Sequence, residues 1–236
     1  MDKVEKLAHE YLRHLGFERI VFEPDGNVPP DFLVHRQIAV EARRLNQNEP
    51  IGAGFRGLEE ISIPLLMKIQ KLLISLGPPK FGTSWFVHYS FQRPLPPLKQ
   101  LLYKLQRWLA AFQEHQHDRQ PTSITVDNVL EIELFPASTP HPTFFLLGAC
   151  SDHDSGGFVL SEIERNLRIC IEEKTHKITG FRHRYPEWWL VLVDLIGYGL
   201  DHQDREYLKE HVKIKHNWHK IILLNPFDPR SALDIT

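Results

Sequence analysis

The sequence predicts an α/β protein built on a central mixed sheet flanked by helices. Trp188 to Asp194 (Trp-Trp-Leu-Val-Leu-Val-Asp) is a continuous apolar run bounded by polar residues, the pattern of a strand buried on both faces. Four amphipathic stretches at the helical period, 4–15, 58–75, 98–112 and 159–177, alternate with short strand-like segments. With 236 residues, 42% of them hydrophobic and 25% charged, the chain can enclose a sizeable core, and global disorder is excluded.

The first helix follows from Val4, Leu7, Ala8, Tyr11, Leu12 and Leu15, with Gly16 as a natural stop. Glu18 to Phe22 is a short strand, and 24–30 (Pro-Asp-Gly-Asn-Val-Pro-Pro) is a turn-rich connector. Asp31 to His35 and Gln37 to Arg43 read as two strands joined by a tight turn near Arg36. The polar, glycine-bearing tract 45–57 reads as a mobile loop. A helix over 58–75 ends at Gly77-Pro78-Pro79, and Ser84 to Phe91 alternates like a strand. After the helix 98–112 come strands at 129–135 and 143–149, with His141 and Pro142 in the turn between them. The polar loop 151–157 precedes the long helix 159–177. After the apolar run, a short helix over 204–212 and a strand over 220–224 complete the reading. The tract 113–123 is the best candidate boundary within what otherwise reads as a single domain.

Lys plus Arg number 28 against 30 Asp plus Glu, a formal net charge of -2. That excludes a protein that coats nucleic acid by bulk electrostatics, but not one with a local basic rim beside metal-binding acids. The two cysteines, Cys150 and Cys170, lie in apolar runs and read as buried thiols, not a disulfide framework. The charged N-terminus lacks a signal peptide's apolar core, and the longest apolar stretch falls far short of a membrane span. A cytoplasmic location, with no membrane partner, is the expectation.

The sharpest local pattern is Pro30-Asp31-Phe32-Leu33-Val34, then Ile38-Ala39-Val40-Glu41-Ala42-Arg43. In a hairpin turning near residue 36, Asp31 and Glu41 fall opposite each other. Directly paired residues share a face, with Cβ atoms roughly 5 Å apart. Two carboxylates that close repel unless a cation lies between them, and Mg²⁺ favours one or two carboxylates plus water and phosphate oxygens.

This stretch resembles the PD-(D/E)xK nuclease superfamily, in which a Pro-Asp begins one strand and Glu-x-Lys lies on the next. The resemblance implies a restriction-endonuclease-like fold and a divalent cofactor, Mg²⁺ or Mn²⁺, held by Asp31 and Glu41, with Glu10 (or Glu5) approaching from the first helix. It implies metal-dependent phosphodiester hydrolysis with Asp31, Glu41 and Arg43 as the catalytic set. Arg43 stands where the family has its lysine. Arginine stays protonated and cannot be a general base, although it can hold a phosphate. A displaced lysine is therefore sought on a crossover helix, either Lys68 and Lys71 or Lys174 and Lys177. Those four, with Arg44 and Arg56, are the expected nucleic-acid contacts, and Arg182, His183 and Arg184 add local basic charge. The partner implied is nucleic acid, DNA ahead of RNA, and a homodimer is compatible. The alternative is a catalytically inactive protein of the same fold that binds nucleic acid or a protein partner. The nuclease-like core would span about 1–50 plus about 158–226, with an insertion over about 51–157. The other arrangement places 58–75 and 84–91 in the core.

Other patterns carry less. His216-x-x-His219, with Cys150, His153 and His202, follows no known zinc spacing. Asp152 to Gly157 resembles a calcium loop but lacks its downstream bidentate Glu. Gly52 to Gly57 reads as a surface loop, or as a flap carrying Arg56 to a phosphate. Trp188 and Trp189 read as core residues ahead of base-stacking ones.

Overall fold

The protein is described by a computed structural model covering residues 1–52, 54–79, 82–115 and 120–236. The chain divides into two compact units: 1–56 with 156–236, and 57–155, which interrupts the first.

The first unit holds a six-stranded mixed sheet in the order β1-β2-β3-β10-β11-β12. β1 (Ile20–Phe22), β2 (Phe32–Val34) and β3 (Ile38–Leu45) form an antiparallel meander. β3 then runs parallel to β10 (Glu187–Asp194), and β10 parallel to β11 (Lys220–Leu224). β12 (Ala232–Asp234) closes the edge antiparallel. The apolar run is the central strand because alternate residues serve opposite cores. Trp188, Leu190 and Leu192 pack with Ile163, Leu167 and Cys170 of α4 (Val159–Ile178). Trp189, Val191 and Val193 pack with Ala8, Tyr11 and Leu12 of α1 (Lys3–His14). Both tryptophans are thus buried core residues. α5 (His202–His211) adds Leu208 to the α4 side.

α1 begins at a capping box in which Asp2 accepts from the Glu5 N–H and Glu5 accepts from the Asp2 N–H. β10 ends at Asp194, whose Oδ1 accepts from the N–H groups of Ile196 (2.9 Å) and Gly197 (2.8 Å). Burial pushes this carboxyl up from its ordinary value, against the pull of those two bonds.

The second unit is a four-stranded sheet in the order β7-β8-β6-β9, comprising β6 (Trp85–Phe91), β7 (Thr122–Val126), β8 (Leu130–Pro136) and β9 (Phe145–Asp152). One of its faces is packed by α2 (Glu59–Ser75) and α3 (Leu98–Gln113) through Leu65, Ile69, Leu101, Leu105 and Leu109.

Several expectations are corrected. The tract 45–57 contains a two-stranded ribbon, β4 (Asn48–Ile51) and β5 (Gly54–Gly57), and β3 extends to Leu45. Asn48 anchors this ribbon, its backbone N–H donating to Asn166 Oδ1 of α4 at 2.9 Å. β8 and β9 are not a hairpin. β6 lies between them, antiparallel to β8 and parallel to β9, because sheet pairing is decided by tertiary packing and not by chain proximity. β7 and β12 are further, short edge strands at positions the sequence reading leaves unassigned. Cys150 is exposed on β9, which pairs on one side only, while Cys170 is buried. Ala53 of the glycine-bearing tract and 116–119 of the candidate boundary lie outside the described residues. Among the described residues, no helix is long and apolar enough to cross a membrane.

Leu190→Ala should lower stability by about 2–5 kcal/mol in urea unfolding followed by tryptophan fluorescence, because the site cannot collapse between two packed layers. Ile63→Ala, at an exposed α2 position, should stay within about 0.5 kcal/mol.

Asp194 titrates above the ordinary carboxylate value of 3.8 when folded. Its charge therefore opposes folding above the folded value, and that penalty vanishes below the unfolded one. Asp194→Asn keeps an acceptor for both N–H groups. It should raise stability at pH 7, with the gain shrinking as pH falls toward 4. A gain independent of pH would rule out charge burial as its cause.

Candidate functional site

Asp31 lies immediately before β2, and the β2–β3 register pairs Phe32 with Val40, which sets Asp31 across from Glu41. Asp31 Oδ2 accepts from the Ala42 N–H at 2.8 Å, so the carboxylate is clamped to the neighbouring strand. Glu41 belongs to the side of β3 that carries Ala39 and Leu45, which is the side α4 covers. It is 0% exposed. Such a buried carboxylate demands a cation, and α4 supplies two.

Lys174 Nζ donates to Glu41 Oε2 at 2.6 Å and lies 3.8 Å from Asp31 Oδ2. Lys177 Nζ donates to the same Glu41 oxygen at 3.2 Å. The two lysines are three residues apart and share one face of the helix. Lys174 is buried, while about half of the Lys177 side chain is exposed. Burial lowers the Lys177 pKa, but the charges of Glu41 and Asp31 outweigh it and hold the ammonium above its ordinary value. Glu41 Oε1, by contrast, is buried with no hydrogen-bond partner among the described residues.

The remaining expected residues are placed as follows. Arg43 shares the side of Glu41 but forms an ion pair with Glu173 of α4, next to Lys174. Arg44 is exposed on the opposite side of β3. Arg56 is held by Glu49 across the β4–β5 ribbon at 2.6 Å. Lys68 and Lys71 are exposed on α2 of the second unit.

Glu10 is a correction. α1 packs on the sheet face opposite Glu41, and Glu10 is exposed there in a surface cleft with Arg13, His14, Asp228 and Arg230. The heptad-like stripe that buries Ala8, Tyr11 and Leu12 turns Glu10 outward.

The weaker patterns find structural roles. Arg93 grips Asp152 through both carboxylate oxygens (2.5 and 2.8 Å) and also bonds Asp154, so the acids of the 151–157 loop serve an ion pair. His219 Nδ1 accepts from the Trp188 N–H at 3.0 Å, and no helix spans 212–218 to align His216 with it.

The residues present fit a divalent ion in one respect: Asp31 and Glu41 lie across from each other on neighbouring strands, and one oxygen of Glu41, Oε1, has no hydrogen-bond partner among the described residues. Two acids suffice for Mg²⁺, which fills its remaining positions with water and phosphate. Among the described residues no group of three or more His, Cys, Asp or Glu side chains converges as a metal-binding set. Any ion here would thus be held by the Asp31–Glu41 pair. The sequence alone does not reveal Glu173 as the partner of Arg43, nor the Asn48–Asn166 contact. The one legible signal is that Glu173 immediately precedes Lys174.

Comparison with protein-family models, with curated proteins and with solved structures finds no match for this chain.

Lys174→Ala leaves Glu41 buried with only a half-exposed partner and should cost about 3–5 kcal/mol in urea unfolding at pH 7. Lys177→Ala should cost about 1 kcal/mol or less, because water screens that pair. Adding Glu41→Gln to Lys174→Ala should restore part of the loss. Equal costs for the two lysine variants would contradict this division of roles.

Proposed function

We propose that Asp31, Glu41 and Lys174 form a site for metal-dependent phosphodiester hydrolysis of nucleic acid, in a PD-(D/E)xK-like, restriction-endonuclease-like unit. The observation that carries this reading is Lys174. The strand position expected to hold the lysine has Arg43, and α4 delivers an ammonium to the same carboxylates instead. The order of elements supports it: a helix, a three-strand meander, then a helix and a strand parallel to the third.

A Mg²⁺ or Mn²⁺ ion bound by Asp31 and Glu41 would neutralise phosphate charge and lower the pKa of water. The protein's own groups do the rest. The Ala42 N–H orients Asp31. Lys174 would hold a phosphate oxygen or an attacking water against the carboxylates. Lys177, half-exposed at the rim, supplies positive charge to an incoming phosphate. Arg43 is engaged by Glu173, so its part is to position α4, not to contact the scissile phosphate.

One observation favours a second reading, a catalytically inactive nucleic-acid- or protein-binding member of the same fold. The Lys174 ammonium already lies near both carboxylates, where it compensates the charge that an ion would otherwise balance.

Isothermal titration with Mn²⁺ should show binding to the wild type that is lost in Asp31→Ala. Nuclease assays on DNA and RNA should show Mg²⁺- or Mn²⁺-dependent cleavage. Lys174→Met should keep Mn²⁺ binding and lose roughly 10²–10³-fold in rate. Binding without cleavage selects the second reading. Binding undiminished in Asp31→Ala, or none in the wild type, overturns the site.

A further inference from the structure

An open groove of about 980 Å³ lies in the first unit, between α4 and the extended segment 213–217. Its walls carry Arg168 and His176 of α4 and Lys213, Lys215 and His216 of the segment, with Glu172 as the single acid. With Arg168 paired to Glu164, Lys213 and Lys215 stand with two imidazoles against the one groove carboxylate, Glu172, a local positive excess on a chain whose formal net charge is -2. Lys213 Nζ donates to a carbonyl, that of Lys209, at 2.6 Å, and not to a carboxylate. His216 Nδ1 is buried with no hydrogen-bond partner among the described residues.

We propose that this groove binds the sugar-phosphate backbone of a nucleic acid as an exosite. The proposal rests on the hydrolytic reading of the Asp31–Glu41–Lys174 site, because the two share a helix. α4 presents Lys174 and Lys177 to Glu41 and lines the groove with Arg168 and His176. The groove residues Arg168, Glu172, Thr175 and His176 lie on the side of α4 turned away from Lys174 and Lys177, and a helix with its side chains is about 10–12 Å across, so a strand that meets both places passes around the helix. Contacts of this kind are to phosphates. They position the strand without reading its sequence, and they make binding salt-dependent.

The test uses the full chain and a short fluorescein-labelled DNA, single-stranded and as a duplex, in chelator to prevent cleavage. Fluorescence anisotropy is read over a series of salt concentrations. Lys213→Gln/Lys215→Gln should bind at least about tenfold more weakly than wild type. On the duplex its log–log salt slope should be shallower by roughly 1.8, from two contacts at about 0.9 each. The loss should be the same on two unrelated sequences, and Lys99→Gln, an exposed lysine of α3, should bind as wild type does. Asp31→Ala should retain groove binding. The proposal is overturned if wild type binds neither DNA, if the double variant keeps wild-type affinity and slope, or if an acidic peptide binds the groove and nucleic acid does not. The two readings fail separately. DNA binding that needs Lys213 and Lys215, with no metal-dependent cleavage, keeps the groove and ends the hydrolytic reading. Cleavage that needs Asp31, with binding indifferent to Lys213 and Lys215, does the opposite.

Discussion

The burial of Glu41 is the constraint on which the first unit depends. A carboxylate with no exposure, set in the middle of β3, is costly unless a cation reaches it, and Lys174 does so at 2.6 Å. That requirement registers α4 on the sheet. Along the same interface Asn166 bonds Asn48, the Cys170 thiol approaches the Arg44 carbonyl at 3.7 Å, and Glu173 pairs with Arg43. Each is a polar contact at the edge of an apolar seam made by Ile163, Leu167, Cys170 and Ile171, so α4 has one rotation and one height that satisfy all of them. Hydrophobic packing alone tolerates sliding, whereas directional polar contacts do not.

The same constraint links stability to chemistry. An interior acid–lysine pair rarely adds net stability over an apolar replacement, so its presence calls for another reason. Here Glu41 Oε1 has no hydrogen-bond partner among the described residues, and Asp31, across from Glu41 on the neighbouring strand, is clamped by a backbone N–H. In the proposed function, the desolvated oxygen and the ammonium on its neighbour would together meet a metal ion and a phosphate.

The two arginines of β3 illustrate the difference between residue type and placement. Arg43 and Arg44 are adjacent in sequence and both basic, yet the strand's alternation sends them to opposite sides. Arg43 meets Glu173 on α4, and Arg44 is exposed on the other side. The lysine that reaches Glu41 is a residue 133 positions away, carried on a different element.

Much was legible in the chain itself. Period-two and period-3.6 patterns located α1, α2, α3, α4, β6 and β10 to within a few residues, because each buries a contiguous apolar stripe. The Asp31–Glu41 juxtaposition followed from hairpin arithmetic, since opposed positions in a short antiparallel pair are determined by the turn. What the sequence could not determine was long-range pairing: that β6 separates β8 from β9, that 45–57 contains a ribbon, that α1 turns Glu10 away from the acids, and that Lys174 and Lys177, not Lys68 and Lys71, reach Glu41. Local pattern reports which side of an element is buried. Which partner buries it is settled by packing among segments far apart in the chain, and the charges that must be compensated inside that packing decide between helices that look alike in one dimension.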